Sequence, residues 1–191
     1  MRRLFCALVV TICALPARAE EGGFDLGFAH AGMELSQFRN GPWDQGRVIC
    51  SSDDDRPGDV QFHLPKGVAK AGAARCGLYA SDDGQHWHHA SKDVAGWPGE
   101  VVAEFLPDLA GTPRLAQLKL VLPQAAFDDV AQAWDHQFGL PTFRRDQMVH
   151  WSSRSTDAAI VGDGGHVQAW LVDNSLQTSL NRRLGQMPAQ H

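Results

Sequence analysis

The stretch "SDDGQHWHHASKD" (residues 81–93) places three histidines and a tryptophan in four consecutive positions behind an acidic turn. Asp83 and Gly84 form a pair that favours a tight hairpin turn. If the chain returns from this turn as a strand, His86 and His88 project from one face, because successive side chains of a strand alternate between faces. Two imidazoles on one face are half of a zinc or copper site.

A complete site of this kind needs at least one more ligand and a group that orients the imidazoles. His63, in "VQFHLP", is the nearest candidate by sequence. No third ligand stands at a spacing typical of metal sites. We therefore expect exposed histidines on an ordinary hairpin, with Trp87 packed inward, no bound metal at His63, His86 and His88, and no other cofactor.

Sequence motifs of catalysis are not found in this chain. It contains neither a G-x-S-x-G nucleophile elbow nor an H-E-x-x-H zinc helix. A hydrolase would need a pocket in which a histidine meets Asp or Ser, and the candidate histidines are His63, His86 and His150. Three tryptophans are candidates for lining a groove for a sugar or a peptide: Trp43, Trp87 and Trp97. Three others lie in patterned elements and are expected in the core: Trp134, Trp151 and Trp170.

The first 19 residues have the anatomy of a secretory signal peptide. Arg2 and Arg3 form a basic start, an apolar run follows over residues 4–15, and an A-x-A motif ends at Ala19. The apolar run is shorter than the ~20 residues that span a bilayer. We predict cleavage after Ala19 and a periplasmic or secreted chain, residues 20–191, with no membrane span.

Cleavage would leave an acidic chain with two cysteines. Lys plus Arg falls from 17 to 14 against 22 acidic residues, so the formal charge changes from -5 to -8. Nucleic acids and anionic membranes bind basic surfaces, and we expect neither as a partner. Cys50 and Cys76 are the two cysteines that remain, and we predict a structural disulfide between them because exported chains fold in an oxidising compartment.

Periodicity of the apolar residues predicts both helices and strands. Val130, Trp134 and Phe138 lie on one face at helical spacing, between Pro123 and the stop signals Gly139 and Pro141. Short helices are also expected over residues 32–40 and 174–185. Strands are expected around both cysteines and over residues 100–108, 114–123, 147–153, 157–163 and 166–173.

Strands joined by short turns favour an α+β fold, in which helices pack on one face of an antiparallel sheet. We expect one exported domain over residues 20–191. The element order can also be divided into two tandem helix-then-meander modules, residues 24–122 and 123–185.

Two segments resemble a known group of exported bacterial proteins. "AGMELSQF" (31–38) is similar to the opening helix of small helix-then-meander modules, among them the outer-membrane assembly lipoprotein BamE and the β-lactamase inhibitor protein. "AWDHQFGLPT" (133–142), followed by "MVHWSS" and "AAIVGD", resembles the helix, turn and meander of uncharacterised exported bacterial proteins. The resemblance implies a non-catalytic module that contacts other proteins.

The sequence thus predicts an exported binding module of the cell envelope rather than an enzyme. Its partner would be an unknown protein or envelope component. The alternatives are a secreted hydrolase and a metal-binding protein that uses the hairpin of His86 and His88.

Overall fold

The computed structural model describes residues 23–186, so the predicted signal peptide lies outside the described residues. Four helices are present: Leu35–Arg39 (α1), Lys66–Lys70 (α2), Phe127–Phe138 (α3) and Asn174–Gln186 (α4). The first six strands are Arg47–Cys50 (β1), Ala74–Ala80 (β2), His88–His89 (β3), Ser91–Val94 (β4), Trp97–Pro107 (β5) and Pro113–Pro123 (β6). Four more follow α3: Phe143–Arg145 (β7), Met148–Ser152 (β8), Thr156–Gly162 (β9) and His166–Asp173 (β10). Between residues 23 and 186, no helix has the length and apolar character needed to cross a membrane.

The ten strands form one sheet in which every described pair is antiparallel. The strand order is β1-β2-β5-β6-β10-β9-β8-β7, with β3 paired to β2 and β4 paired to β5. The predicted α+β class with an antiparallel sheet is confirmed, although strands dominate. Strands on either side of residue 123 belong to the same sheet, because β6 pairs with β10.

Alternating side chains of the central strands build the core on one face of the sheet. In β6, Leu118, Leu120 and Leu122 are buried, whereas Lys119 and Val121 between them are half-buried on the opposite face. The same alternation in β10 buries Val167, Ala169 and Leu171. Each fully buried leucine or valine contributes about 1.5–3 kcal/mol by leaving water.

Helix α3 covers this core face at the position predicted from its spacing. Phe127, Val130, Ala131 and Trp134 are buried, and the Trp134 ring meets Trp151 of β8 edge-on, with ring centroids 5.7 Å apart. The helix ends at Gly139, whose φ of 85° is readily adopted by glycine. The predicted core positions of Trp134 and Trp151 are confirmed.

The helices lie on both faces of the sheet, which differs from the predicted arrangement on one face. Helices α1 and α3 pack on the core face, where Phe105 is buried. Leu106, the next residue of β5, points to the other face and packs with Leu180 of α4 and, more peripherally, Val68 of α2. A bulge between Glu104 and Phe105 shifts the register at this end of the sheet. The C-terminal end of β5 pairs with the N-terminal end of β6, and this end of the strand pair carries apolar residues on both faces. Each of the two faces therefore needs a covering helix.

The predicted disulfide is present. Cys50 of β1 and Cys76 of β2 are directly opposite each other in the strand register and are bonded. The bond fastens the edge strand β1 to β2, next to which β5 and β6 continue the sheet.

We predict that the chain beginning at Glu20 has no free thiol when it is denatured without reductant. The Cys50→Ala/Cys76→Ala double variant should lose about 3.5 kcal/mol of unfolding free energy in denaturant titration, from the loop-closure entropy across a separation of 26 residues. Treatment with reductant should release two thiols, which serves as the control. Two free thiols before reduction would contradict the bond.

Candidate functional site

The histidine-rich hairpin differs from its predicted geometry. Only His88–His89 form a strand, and His86 lies in the turn before it. Asp83 organises this turn: one carboxylate oxygen accepts hydrogen bonds from the backbone N–H groups of Gln85 and His86, both at 2.8 Å. The other oxygen lies 2.7 Å from Nδ1 of the His86 ring. The prediction that His86 and His88 share one strand face is therefore wrong, because the turn extends further than the Asp-Gly pair suggested.

The hydrogen bond from the His86 ring lowers the pKa of Asp83 well below its ordinary value, and the backbone N–H groups of His86 and Gln85 lower it further. His86 is thus engaged by a carboxylate of its own turn. His63 lies on a different loop, where its carbonyl oxygen accepts a hydrogen bond of 2.5 Å from Arg75. Within residues 23–186, no three His, Cys, Asp or Glu side chains are grouped in a way that could hold a metal ion.

Two of the three tryptophans proposed as a groove pack against the main core and the third packs on the other face of the sheet. Trp43 packs edge-on against Phe38 in the main core and donates a hydrogen bond to its carbonyl oxygen at 2.7 Å. Trp97 packs at the edge of the same core and donates to Asp129 of α3 at 2.8 Å. Trp87 packs on the other face of the sheet, with the Arg47 guanidinium 4.5 Å above its ring. They stabilise the fold at separate places.

Trp170 lies on a different face of the sheet from the one predicted. It was predicted in the core, but it alternates with the buried Ala169 and Leu171 of β10 and so points to the opposite face. There it is half-buried, and the ammonium group of Lys119 lies 5.3 Å from its ring centroid. The pair forms a cation–π contact.

We call the face of the sheet opposite the main core the outer face. Its central row, read from the cross-strand register, contains Gly77, Val102, Lys119, Trp170, Ala159, His150 and Phe143. A second row beside it contains Glu100, Val121, Gln168, Val161, Met148 and Arg145. Valine, methionine and aromatic side chains alternate here with single polar groups, and Phe143 and Met148 are 46% and 41% exposed. The surface is partly apolar and accessible.

Two parts of the chain cover the ends of the outer face. Helices α2 and α4 lie over Leu106 and Ala116. On the side of β1 and β2, the loop before α2 packs Val60 and Phe62 against Ile49 and Tyr79. Between these two covered ends, no element of the described chain packs on the two rows in a buried cluster.

A groove of about 180 Å³ opens where the loop of residues 61–63 meets the sheet. Its lining includes Phe62, His63, Tyr79, His89 and Lys119, and it contains no Asp or Glu. The aromatic rings are in contact, since the Tyr79 centroid lies 5.9 Å from that of Phe62 and 4.5 Å from that of His89. The hairpin therefore contributes His89 to the lining of this groove, whereas the sequence analysis named His86 and His88 as candidate metal ligands.

Two residues of the lining carry a hydrogen-bond donor with no acceptor in the described part of the chain. They are Lys119, whose ammonium lies over the Trp170 ring, and Tyr79, which has a phenol hydroxyl. Arg75, the other cation of the lining, is engaged: it pairs with Glu104 through a short contact and a second hydrogen bond of 3.0 Å. Burial raises the pKa of the Tyr79 phenol, and the negative charge of Glu100 raises it further.

His150 is the one candidate histidine that meets a carboxylate across the strands. Its Nε2 lies 3.5 Å from Oδ1 of Asp157, an oxygen without a hydrogen-bond partner among the described residues. Ser152 is opposite Asp157 in the register, but no hydrogen bond joins it to His150 in the described part of the chain. The pair lies on the outer face, outside the groove.

Comparisons of the chain with known protein families, with curated proteins and with solved structures find no match.

We predict no tight metal binding at His63, His86 or His88, because no three His, Cys, Asp or Glu side chains within residues 23–186 are grouped in a way that could hold a metal ion. Equilibrium dialysis of the chain beginning at Glu20 against zinc and against copper tests this. Stoichiometric sub-micromolar binding that disappears in His86→Ala would contradict it. His136→Ala, on α3, serves as a control for non-specific imidazole binding.

We also predict that the single tyrosine of the chain ionises above pH 10.0. Burial and Glu100 both disfavour the negatively charged phenolate, so the folded-state pKa is raised. Titration of the tyrosinate absorbance should show this shift, and Glu100→Gln should reduce it. Asp146→Asn, which removes a carboxylate from the β7–β8 turn, should leave the titration unchanged. A wild-type pKa at or below 10.0 would contradict the assignment.

Proposed function

We propose that this protein is an exported, non-catalytic module that binds another protein or a component of the cell envelope through its outer face. The observation that supports this most directly is the row of half-buried apolar side chains around Trp170, which no element of the described chain covers in a buried cluster. An antiparallel sheet can pack a core on one face and present the other.

The composition of the outer face suits a protein contact. Binding interfaces are enriched in aromatic residues, methionine and arginine at their centre, and here Trp170, Met148 and Arg145 lie on one surface. The cation–π contact between Lys119 and Trp170 holds the indole ring against the sheet, so little side-chain freedom would be lost on binding. Val121 and Val161, in the row beside Trp170, extend the apolar area.

Export is supported by the sequence of the first 19 residues and agrees with the disulfide between Cys50 and Cys76, a bond that persists in oxidising compartments. The resemblance to helix-then-meander modules of the bacterial envelope also supports a binding role. It motivates the choice of an envelope partner over a cytoplasmic one.

A hydrolase is the second candidate, and His150 beside Asp157 is the observation that favours it. A general base held by a carboxylate also needs a nucleophile within hydrogen-bond reach. Among the described residues, His150 has the carboxylate but no hydroxyl or thiol hydrogen-bonded to it. We therefore place this activity second.

We predict that the tagged protein captures a specific partner from envelopes of its native cell and that Val161→Lys and Met148→Lys each weaken this capture at least about tenfold. A lysine on the outer face would bury an unpaired charge in the interface, at a cost above 1.4 kcal/mol. Leu109→Lys is the matched control, because Leu109 is fully exposed in the β5–β6 turn away from these rows.

Capture that is unchanged in both outer-face variants would reject the outer face as the binding surface. A protein that is captured without any partner and hydrolyses generic esters or peptides, with loss of activity in His150→Ala, would establish the hydrolase instead.

Terminal sequencing of the exported protein should find Glu20 as its first residue.

A further inference from the structure

We propose that the groove between the loop of residues 61–63 and strands β2, β5 and β6 binds a small aromatic carboxylate. The carboxylate would contact the Lys119 ammonium and the Tyr79 hydroxyl, and the aromatic ring would lie against Phe62 and Val102. This site goes beyond the proposed protein contact, because its ligand is a free small molecule.

The charge of the groove selects an anion. Lys119 has no carboxylate within ion-pair distance in the described part of the chain, and its ammonium contacts only the Trp170 ring. The positive charge of Arg75 is balanced by Glu104. Glu100 lies 3.4 Å from Nδ1 of His89 and does not line the groove, although its negative charge acts on the Tyr79 phenol. One uncompensated positive charge therefore remains in the lining of a chain whose formal charge is -5.

The Tyr79 ring lies over a glycine that is two strands away from Lys119. A Cβ atom at Gly77 would be only 2.9 Å from Cε2 and 3.5 Å from Cζ of Tyr79, so the hydroxyl-bearing end of the ring lies over this residue. Gly77 is opposite Val102, and Val102 is opposite Lys119. Adjacent strands are about 4.8 Å apart, so the backbones of Gly77 and Lys119 are separated by about 10 Å, a distance that the long lysine side chain can shorten.

A carboxylate is the acceptor that fits two such donors. It has two oxygens, accepts only, and forms stronger hydrogen bonds with charged donors than a neutral acceptor does. The Tyr79 phenol is protonated at neutral pH and can donate, and its pKa is raised further above the ordinary value. A cationic ligand would face Lys119 unfavourably.

The size and walls of the groove select a single ring. Sites for drug-sized ligands have volumes of roughly 300–1,000 Å³, and this groove, at about 180 Å³, is smaller. Phe62 and Val102 supply apolar walls, and the Phe62 ring is held nearly perpendicular to Tyr79, at 83°. An aromatic ring can pack against such walls.

Titration of the chain beginning at Glu20 with phenylacetate, followed by amide chemical shifts, tests this proposal. We expect a dissociation constant on the order of 1 mM, as befits a ligand of about ten non-hydrogen atoms. Shifts should concentrate on residues 61–63, 75–79, 102 and 119. Phenylacetamide, the neutral isostere, and acetate, which lacks the ring, should each bind at least about tenfold more weakly.

Lys119→Met should weaken phenylacetate binding at least about tenfold and leave phenylacetamide binding unchanged, because methionine keeps an unbranched stem against Trp170. Lys70→Met, on α2, removes the same charge outside the groove and should bind phenylacetate like the wild type. Tyr79→Phe, which deletes only the hydroxyl, should weaken binding about threefold to tenfold.

Equal affinity for phenylacetate and phenylacetamide in the wild-type chain would overturn the proposal, even if a variant failed to fold. Shifts outside the groove, or unchanged affinity in a folded Lys119→Met, would also overturn it. N-acetylphenylalanine distinguishes a peptide carboxyl terminus from a free acid, and tighter binding of this compound than of phenylacetate would reject the free acid as the ligand. Val161→Lys should bind phenylacetate normally, so failure of this site and failure of the outer-face contact are distinguishable.

Discussion

Strand β6 pairs along its length with β5 on one side and β10 on the other, and this double pairing supports the rest of the fold. It joins the part of the sheet formed before residue 123 to the part formed after it. Its alternation directs Leu118, Leu120 and Leu122 into the core and leaves Lys119 and Val121 on the outer face. A shift of one residue in this register would exchange the two sets and bury a lysine in the core, so the burial of the leucines fixes the register on both sides.

The groove depends on this register and on the edge of the sheet. Lys119 lines the groove together with Val102, its partner on β5, which is itself opposite Gly77. At Gly77 the missing side chain leaves space for the Tyr79 ring, which is further held by Phe62, His89 and the cluster with Ile49 and Val60. The disulfide at Cys76, a lining residue, fastens the same strand to β1. One wall of the groove is therefore built on paired strands that a disulfide fastens together.

Electrostatics distinguishes the groove, at one end of the central outer-face row, from the rest of the outer face. The chain as a whole is acidic, and several of its cations form ion pairs, among them Arg75 with Glu104, Arg114 with Asp108 and Glu34, and Lys92 with Asp44. Lys119 instead contacts an aromatic face. An ammonium group without an acidic partner, on a surface of negative overall charge, can attract an anion locally, and the apolar rows beside it can still contact a protein.

Much of the fold follows from the sequence, because helices and strands are coded by short-range periodicity. The spacing of Val130, Trp134 and Phe138 predicted α3, the alternation in residues 114–123 predicted β6, and the two cysteines of the predicted mature chain predicted the disulfide. Non-local pairing decided the site. Both faces of β10 carry apolar residues, so the sequence did not show that Trp170 points away from the core. Tyr79 and Lys119, 40 residues apart, line one groove only through the pairing of three strands. Periodicity is a property of neighbouring residues, whereas the covered face and the strand partners are set by the packing of the whole chain.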